Sequence, residues 1–125
     1  MRTVLVVDDE PQVREIAAAL FESFGCRVLV AANATEALRT IETYPGIALL
    51  FTDITMPGMS GWELAREVRK AGYRDRPILI AISGQFTKAA DRLLSESVGF
   101  QYFFTKPCPA SVLLKVLAPL AASCR

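Results

Sequence analysis

The chain has 125 residues, 52% of them apolar and 22% charged, with 14 Lys or Arg against 13 Asp or Glu. That reads as one domain over 1–125, able to bury its own core, too apolar for disorder, and too evenly charged for direct nucleic-acid or membrane binding. The absence of histidine excludes Ser-His-Asp and Cys-His hydrolases, His-ligated metal sites and any role as a phosphohistidine donor. Cys26, Cys108 and Cys124 show no CxxC spacing, so neither a disulfide framework nor a zinc site is expected and the thiols read as reduced, small apolar groups.

The first apolar run, Thr3 to Val7, stops at Asp8 and Asp9, far short of a signal peptide. It has the length and β-branched content of a strand. From Pro11, apolar residues recur at Val13, Ile16, Ala17, Leu20, Phe21 and Phe24, the spacing of one helix face, with Pro11 suited to its first turn and Gly25 to its end. Arg27 to Ala31 reads as a second strand. Asn33 followed by Glu36 resembles a capping box for a helix carrying Ala34, Ala37, Leu38 and Ile41, ended by Pro45-Gly46.

Ile47 to Thr52 is a continuous apolar strand that stops at Asp53. After the loop Ile54 to Met59, Ser60 caps a helix to about Lys70 that holds Trp62, Leu64, Ala65 and Val68. Pro77 to Ile82 is a fourth strand, of strand and not membrane length. A helix from Thr87 or Lys88 to Val98 is closed by Gly99, Tyr102 to Thr105 is the fifth strand, and Pro109 opens a last helix. A cytoplasmic protein is expected.

Strand and helix alternate five times, and strands apolar on both faces belong to a parallel sheet covered on both sides. The expected class is α/β: a doubly wound five-stranded parallel sheet in the order 2-1-3-4-5, a flavodoxin-like (βα)5 fold. Ligands of such sheets sit beyond the carboxyl ends of the strands. Those ends carry Asp8-Asp9, Thr52-Asp53, Ser83-Gly84 and Thr105-Lys106-Pro107.

With strands 1 and 3 adjacent, Asp8, Asp9 and Asp53 crowd one crevice, and like charges so close call for a neutralising cation. Hard carboxylate oxygens suit Mg²⁺, with Mn²⁺ the natural substitute. Lys106 lies about 10 Å from Asp53 at normal strand spacing, within much of the reach of its side chain. Lys106, Ser83 and a metal then form a cage for an anion with several oxygens, and Asp53 is placed as a nucleophile toward phosphorus. Taken singly, each piece has a plainer reading: the Asp pair as a cap or solvated turn, Ser-Gly as a turn, Lys-Pro as a strand exit.

Together, Val-Val-Asp8-Asp9-Glu10, Asp53-Ile-Thr-Met56-Pro57-Gly-Met59-Ser-Gly61, Ser83-Gly84 and Lys106-Pro107 resemble the receiver domain of two-component response regulators, the CheY-like family, from Val4 to about Leu117. The resemblance implies that Asp53 accepts a phosphoryl group from a histidine kinase or phosphotransfer protein. It implies that Asp9, Asp53 and the Thr55 carbonyl bind Mg²⁺ directly and Asp8 acts through a metal-bound water. Lys106 and Ser83 would meet the phosphoryl oxygens, Lys106-Pro107 would be cis, and Ser83 and Phe103 would form the switch.

Phe103 stands where the family commonly has tyrosine, keeping the ring without the hydroxyl; a plain role as a core aromatic is the other reading. Gly84 replaces a more usual alanine, and Cys108 a more usual apolar residue. Phe100, Tyr102, Phe103 and Phe104 fall within five positions, and alternation turns some of them away from the core. There they either form a partner or dimer surface on helix 4, strand 5 and helix 5 or are covered by the flanking helices. Thr55 and Gln85 flank the site and are expected to tune the phosphoryl lifetime.

Such a switch is not an enzyme beyond its own phosphorylation and dephosphorylation. A haloacid-dehalogenase-type phosphatase wants an acid where this chain has Thr55, a flavodoxin wants a phosphate loop where it has Asp8-Asp9-Glu10, and a dinucleotide binder wants GxGxxG. A phosphorylation-independent interaction module of the same fold is the alternative. The 19 residues after Lys106 are used by the last helix, so a stand-alone receiver, or one excised from a larger regulator or hybrid kinase, is expected.

Overall fold

The computed structural model describes residues 2–72, 77–83, 99–100 and 102–105. Its elements run β1 (Thr3–Val7), α1 (Pro11–Ser23), β2 (Arg27–Ala31), α2 (Ala34–Thr43), β3 (Ile47–Asp53), α3 (Gly61–Lys70), β4 (Ile78–Ser83) and β5 (Tyr102–Thr105). The helices expected from Thr87 or Lys88 and from Pro109 lie outside the described residues, as do Gly84, Gln85, Lys106, Pro107, Cys108 and Cys124. None of the described helices is long and apolar enough to cross a membrane.

The strands form one parallel sheet in the order β2-β1-β3-β4-β5, as the alternation of elements requires. The order reverses at β1, which pairs with β2 on one side and β3 on the other. β1 shows why both faces must be covered. Val4 and Val6 point into one core and Leu5 and Val7 into the other, and all four are buried. The first core closes over Phe51, Ile80 and Ile82 with Ala17 and Phe21 of α1, where the Phe21 and Phe51 rings meet edge to face at 5.6 Å. The second packs Leu50, Leu79 and Ala81 under Ala37 and Ile41 of α2 and Leu64, Ala65 and Val68 of α3. Full burial of a leucine such as Leu50 contributes about 1.5–3 kcal/mol.

The helix starts follow the local chemistry. The Asn33 side chain accepts the Glu36 N–H at 2.8 Å, while the Glu36 carboxylate accepts from Ala32, one residue before the cap, at 3.0 Å. Ser60 caps α3 by accepting the Glu63 N–H at 3.3 Å. Gly25 follows α1 at a φ of 84°, a left-handed geometry that favours glycine.

Two expectations need correcting. Ile16, placed by its spacing on the apolar face of α1, is 72% exposed, whereas Ala17 and Phe21 of that helix are buried. Cys26, expected as a reduced thiol, is disulfide-bonded.

Candidate functional site

Val7 of β1 and Thr52 of β3 are partners in register. The next residue on each strand is an aspartate, so Asp8 and Asp53 leave neighbouring strands at one level, where strands lie about 4.8 Å apart. Ser83 ends β4 one position beyond Ile82, the register partner of Asp53. Relative exposure is 1% for Asp8, 3% for Asp53, 4% for Ser83 and 0% for Thr52, and these four are the buried polar or charged residues among those described. All four stand at the carboxyl edge of β1, β3 and β4. Burying carboxylates away from water is costly, so such a concentration marks a site built for chemistry.

The backbone beneath the carboxylates is held firmly. The Asp8 N–H donates to the Ala31 carbonyl at 3.2 Å, and Arg14 donates to the Asp8 carbonyl at 2.7 Å. The Asp8 carboxylate accepts the Glu10 N–H at 2.9 Å. At β3, the Thr52 hydroxyl donates to the Asp53 carbonyl at 2.9 Å, and the Ile54 N–H reaches across to the Ile82 carbonyl at 3.1 Å. The Thr55 N–H makes a long 3.4 Å bond to the Asp53 carboxylate. Gly61, the first residue of α3, donates to the Ile54 carbonyl at 2.9 Å. A Cβ on Gly61 would clash with the Asp53 carbonyl oxygen and lie 2.9 Å from the Ile54 Cα, so only glycine lets α3 start this close to Asp53.

Asp9 and Thr55 are exposed beside these buried groups. Carboxylate oxygens of Asp8, Asp9 and Glu10 lie within 4.8 Å of one another. Such a set of hard oxygens, one buried and two open to water, fits Mg²⁺, which keeps several waters and uses few protein ligands. A cleft of about 400 Å³ opens beside Asp9, between Asn33, Glu36 and Arg39 on one side and Pro57 and Met59 on the other.

Of the residues expected from the sequence, Asp8, Asp53 and Ser83 are thus buried at one edge, with Asp9 and Thr55 at its rim. Lys106 lies outside the described residues. Phe103 is half-buried on β5, two positions before Thr105, the register partner of Ser83. Of the four clustered aromatics only Tyr102, 40% exposed, faces water; Phe100 is buried, and Phe103 and Phe104 pack against the two cores.

Sequence reasoning assigned no role to Glu10, although its place directly after Asp9 was a signal. It also missed Arg14, whose bond to the Asp8 carbonyl spans one helical turn and a loop. No short motif announces such a contact.

The response regulator receiver domain family matches residues 4–118. Protein PilG of Pseudomonas aeruginosa is 32% identical over 115 residues, covering 89% of this chain and 81% of PilG. The CAI-1 autoinducer sensor kinase/phosphatase CqsS of Vibrio cholerae is 34% identical over 119 residues, covering 94% of this chain but 17% of CqsS. Among solved structures, the chemotaxis protein CheY4 of Vibrio cholerae superposes with a TM-score of 0.86 at 26% identity, over 95% of this chain and 98% of that one. The chain belongs to the response regulator receiver domain family. It is a receiver of two-component signalling, and receivers are switches.

Proposed function

We propose that this receiver, a single domain over 1–125, accepts a phosphoryl group on Asp53. The donor is a phosphohistidine of a histidine kinase or phosphotransfer protein. An Asp53 carboxylate oxygen bonds to phosphorus as the phosphorus–nitrogen bond breaks, and the leaving imidazole nitrogen takes up a proton. Asp8, Asp9, Asp53 and the Thr55 carbonyl are the groups that would hold Mg²⁺, with Mn²⁺ able to substitute. The ion supplies charge neutralisation around the transferring group. Ser83 and Lys106 meet the phosphoryl oxygens.

The observation that carries this reading is the burial of Asp8, Thr52, Asp53 and Ser83 together at the edge where the strand order reverses. Phosphorylation then changes the surface of helix 4, strand 5 and helix 5, to which a downstream protein or a second copy binds. The proposed setting is the cytoplasm. Thiol alkylation at lysis decides: a reactive Cys26 supports the cytoplasm, and a protected one an oxidising compartment.

The test of the chemistry is intact mass after incubation with acetyl phosphate. The expected result is a gain of one phosphoryl group that requires Mg²⁺ and is absent from Asp53→Asn. A gain that persists in Asp53→Asn refutes the assignment. No gain from acetyl phosphate or a kinase, with no Mg²⁺ binding, favours a phosphorylation-independent interaction module.

A further inference from the structure

The start of α3 is locked to the backbone of Asp53 and Ile54 through Gly61, and the next side chain is Trp62. The half-buried indole lies nearly parallel to the Phe103 ring of β5, with centroids 6.4 Å apart and an interplanar angle of 17°. It also meets Phe100 edge to face at 6.0 Å and 74°. Seven positions on, and so on the same face of α3, Arg69 donates to the Gly99 carbonyl at 2.9 Å. The helix that begins on the Asp53 backbone is therefore braced against β5 and the segment leading into it at two points.

Phe103 has no hydroxyl, so no hydrogen bond can orient its ring. Its register neighbour on β4 is Ala81, too small to hold a ring in place. Among the described residues, its ring is packed against the core and lies flat against Trp62.

Resting on the reading of Asp53 as phosphoacceptor, we propose that Trp62 is the positioning residue for Phe103. It carries a change at the Asp53–Thr55 backbone along Gly61 and α3 into β5. This route is distinct from one through Ser83, which enters β5 opposite Thr105. A contact chain becomes a coupling only if both ends bias it, so the test must read both ends.

Trp62 is the one tryptophan of the chain, so its emission is unambiguous. The full chain is titrated with beryllofluoride, a mimic of the aspartyl phosphoryl group, in the presence of Mg²⁺. Trp62 emission is expected to change saturably, and the change is expected to disappear in Phe103→Leu. The amide NMR shifts of Phe103 and Phe104 caused by beryllofluoride should shrink by at least ~3-fold in Trp62→Leu and return in Trp62→Phe. Acetyl phosphate should still add one phosphoryl group to both Trp62 variants. Wild-type shifts in Trp62→Leu overturn the proposal, as does a loss that Trp62→Phe fails to restore. If Trp62→Leu does not fold, the emission of Phe103→Leu decides, and an unchanged response there overturns it. If the wild-type chain neither binds beryllofluoride nor gains mass from acetyl phosphate, the phosphoacceptor reading falls, and this inference with it.

Discussion

Along β3, burial is constant while chemistry is not. Leu50 and Phe51 are 0% and 2% exposed, and Thr52 and Asp53 are 0% and 3% exposed one step further along the strand. Leu50 lies in a core between sheet and helices, where burial is the source of stability. Asp53 lies beside Asp8 at the switch point, where burial opposes stability and the fold must hold a carboxylate that water would hold more easily. The same strand thus ends its stabilising part and begins its functional part between two consecutive residues.

The sharpest way to break the contrast is to substitute on each side of it. Asp53→Asn should abolish phosphoryl gain altogether while leaving the urea midpoint unchanged or raised, since one of several crowded like charges is removed. Leu50→Ala should do the reverse. It should cost about 2–5 kcal/mol in urea unfolding, and the folded fraction should still be phosphorylated. A large stability loss in Asp53→Asn would mean that the carboxylate is a structural group and that the contrast along β3 is false.

The sheet order was legible because alternation of strand and helix leaves few parallel topologies, and β2 and β5 fall where the apolar runs fall. The edge residues were legible for the same reason: once the order is known, Asp8, Asp53 and Ser83 must meet. What escaped was tertiary. Ile16 fits the helix period yet faces water, because a period predicts a face and not how far the neighbouring layer extends. The Arg69 bond to Gly99 joins residues 30 apart, and the Trp62 stack joins α3 to β5; neither leaves a local pattern. The Cys26 disulfide was missed because pairing depends on position in space.

Metal addition gives a third, smaller effect, and it separates the rim from the interior. If the acidic cluster binds Mg²⁺ in the folded state alone, stability should rise by about 2.7 kcal/mol at an Mg²⁺ concentration one hundred times Kd. Chelation should remove the gain, and Asp9→Asn should remove most of it. Glu10→Gln tests the residue that the motif left without a role. A gain reduced by Glu10→Gln places that carboxylate among the ligands, and an unchanged gain leaves it as a neighbour.

Gly61→Ala probes the seam between loop and strand. A Cβ there meets backbone, not a movable side chain, so the cost should be about 1–3 kcal/mol of overpacking. Because the displaced groups are the Asp53 carbonyl and Ile54, Mg²⁺ affinity should fall as well. A stability loss with unaltered Mg²⁺ affinity would show that α3 can shift without moving the carboxylate.

The smallest effect comes from the two helix caps that follow β2 and β3. Asn33 accepts its N–H at 2.8 Å and is backed by the Glu36 carboxylate on Ala32, whereas the Ser60 bond is 3.3 Å long. Hydrogen bonds weaken as they lengthen, so Asn33→Ala should cost about 1 kcal/mol and Ser60→Ala about half that. The functional ranking should run the other way. Ser60 adjoins Gly61, whose backbone rests on Asp53, while Asn33 starts a helix that carries none of the proposed ligands. Urea unfolding and Mg²⁺ titration of both variants therefore give two orderings, expected to be opposite. If Asn33→Ala weakened Mg²⁺ binding more than Ser60→Ala does, the cleft beside Asp9 would matter to the metal more than the β3–α3 seam does.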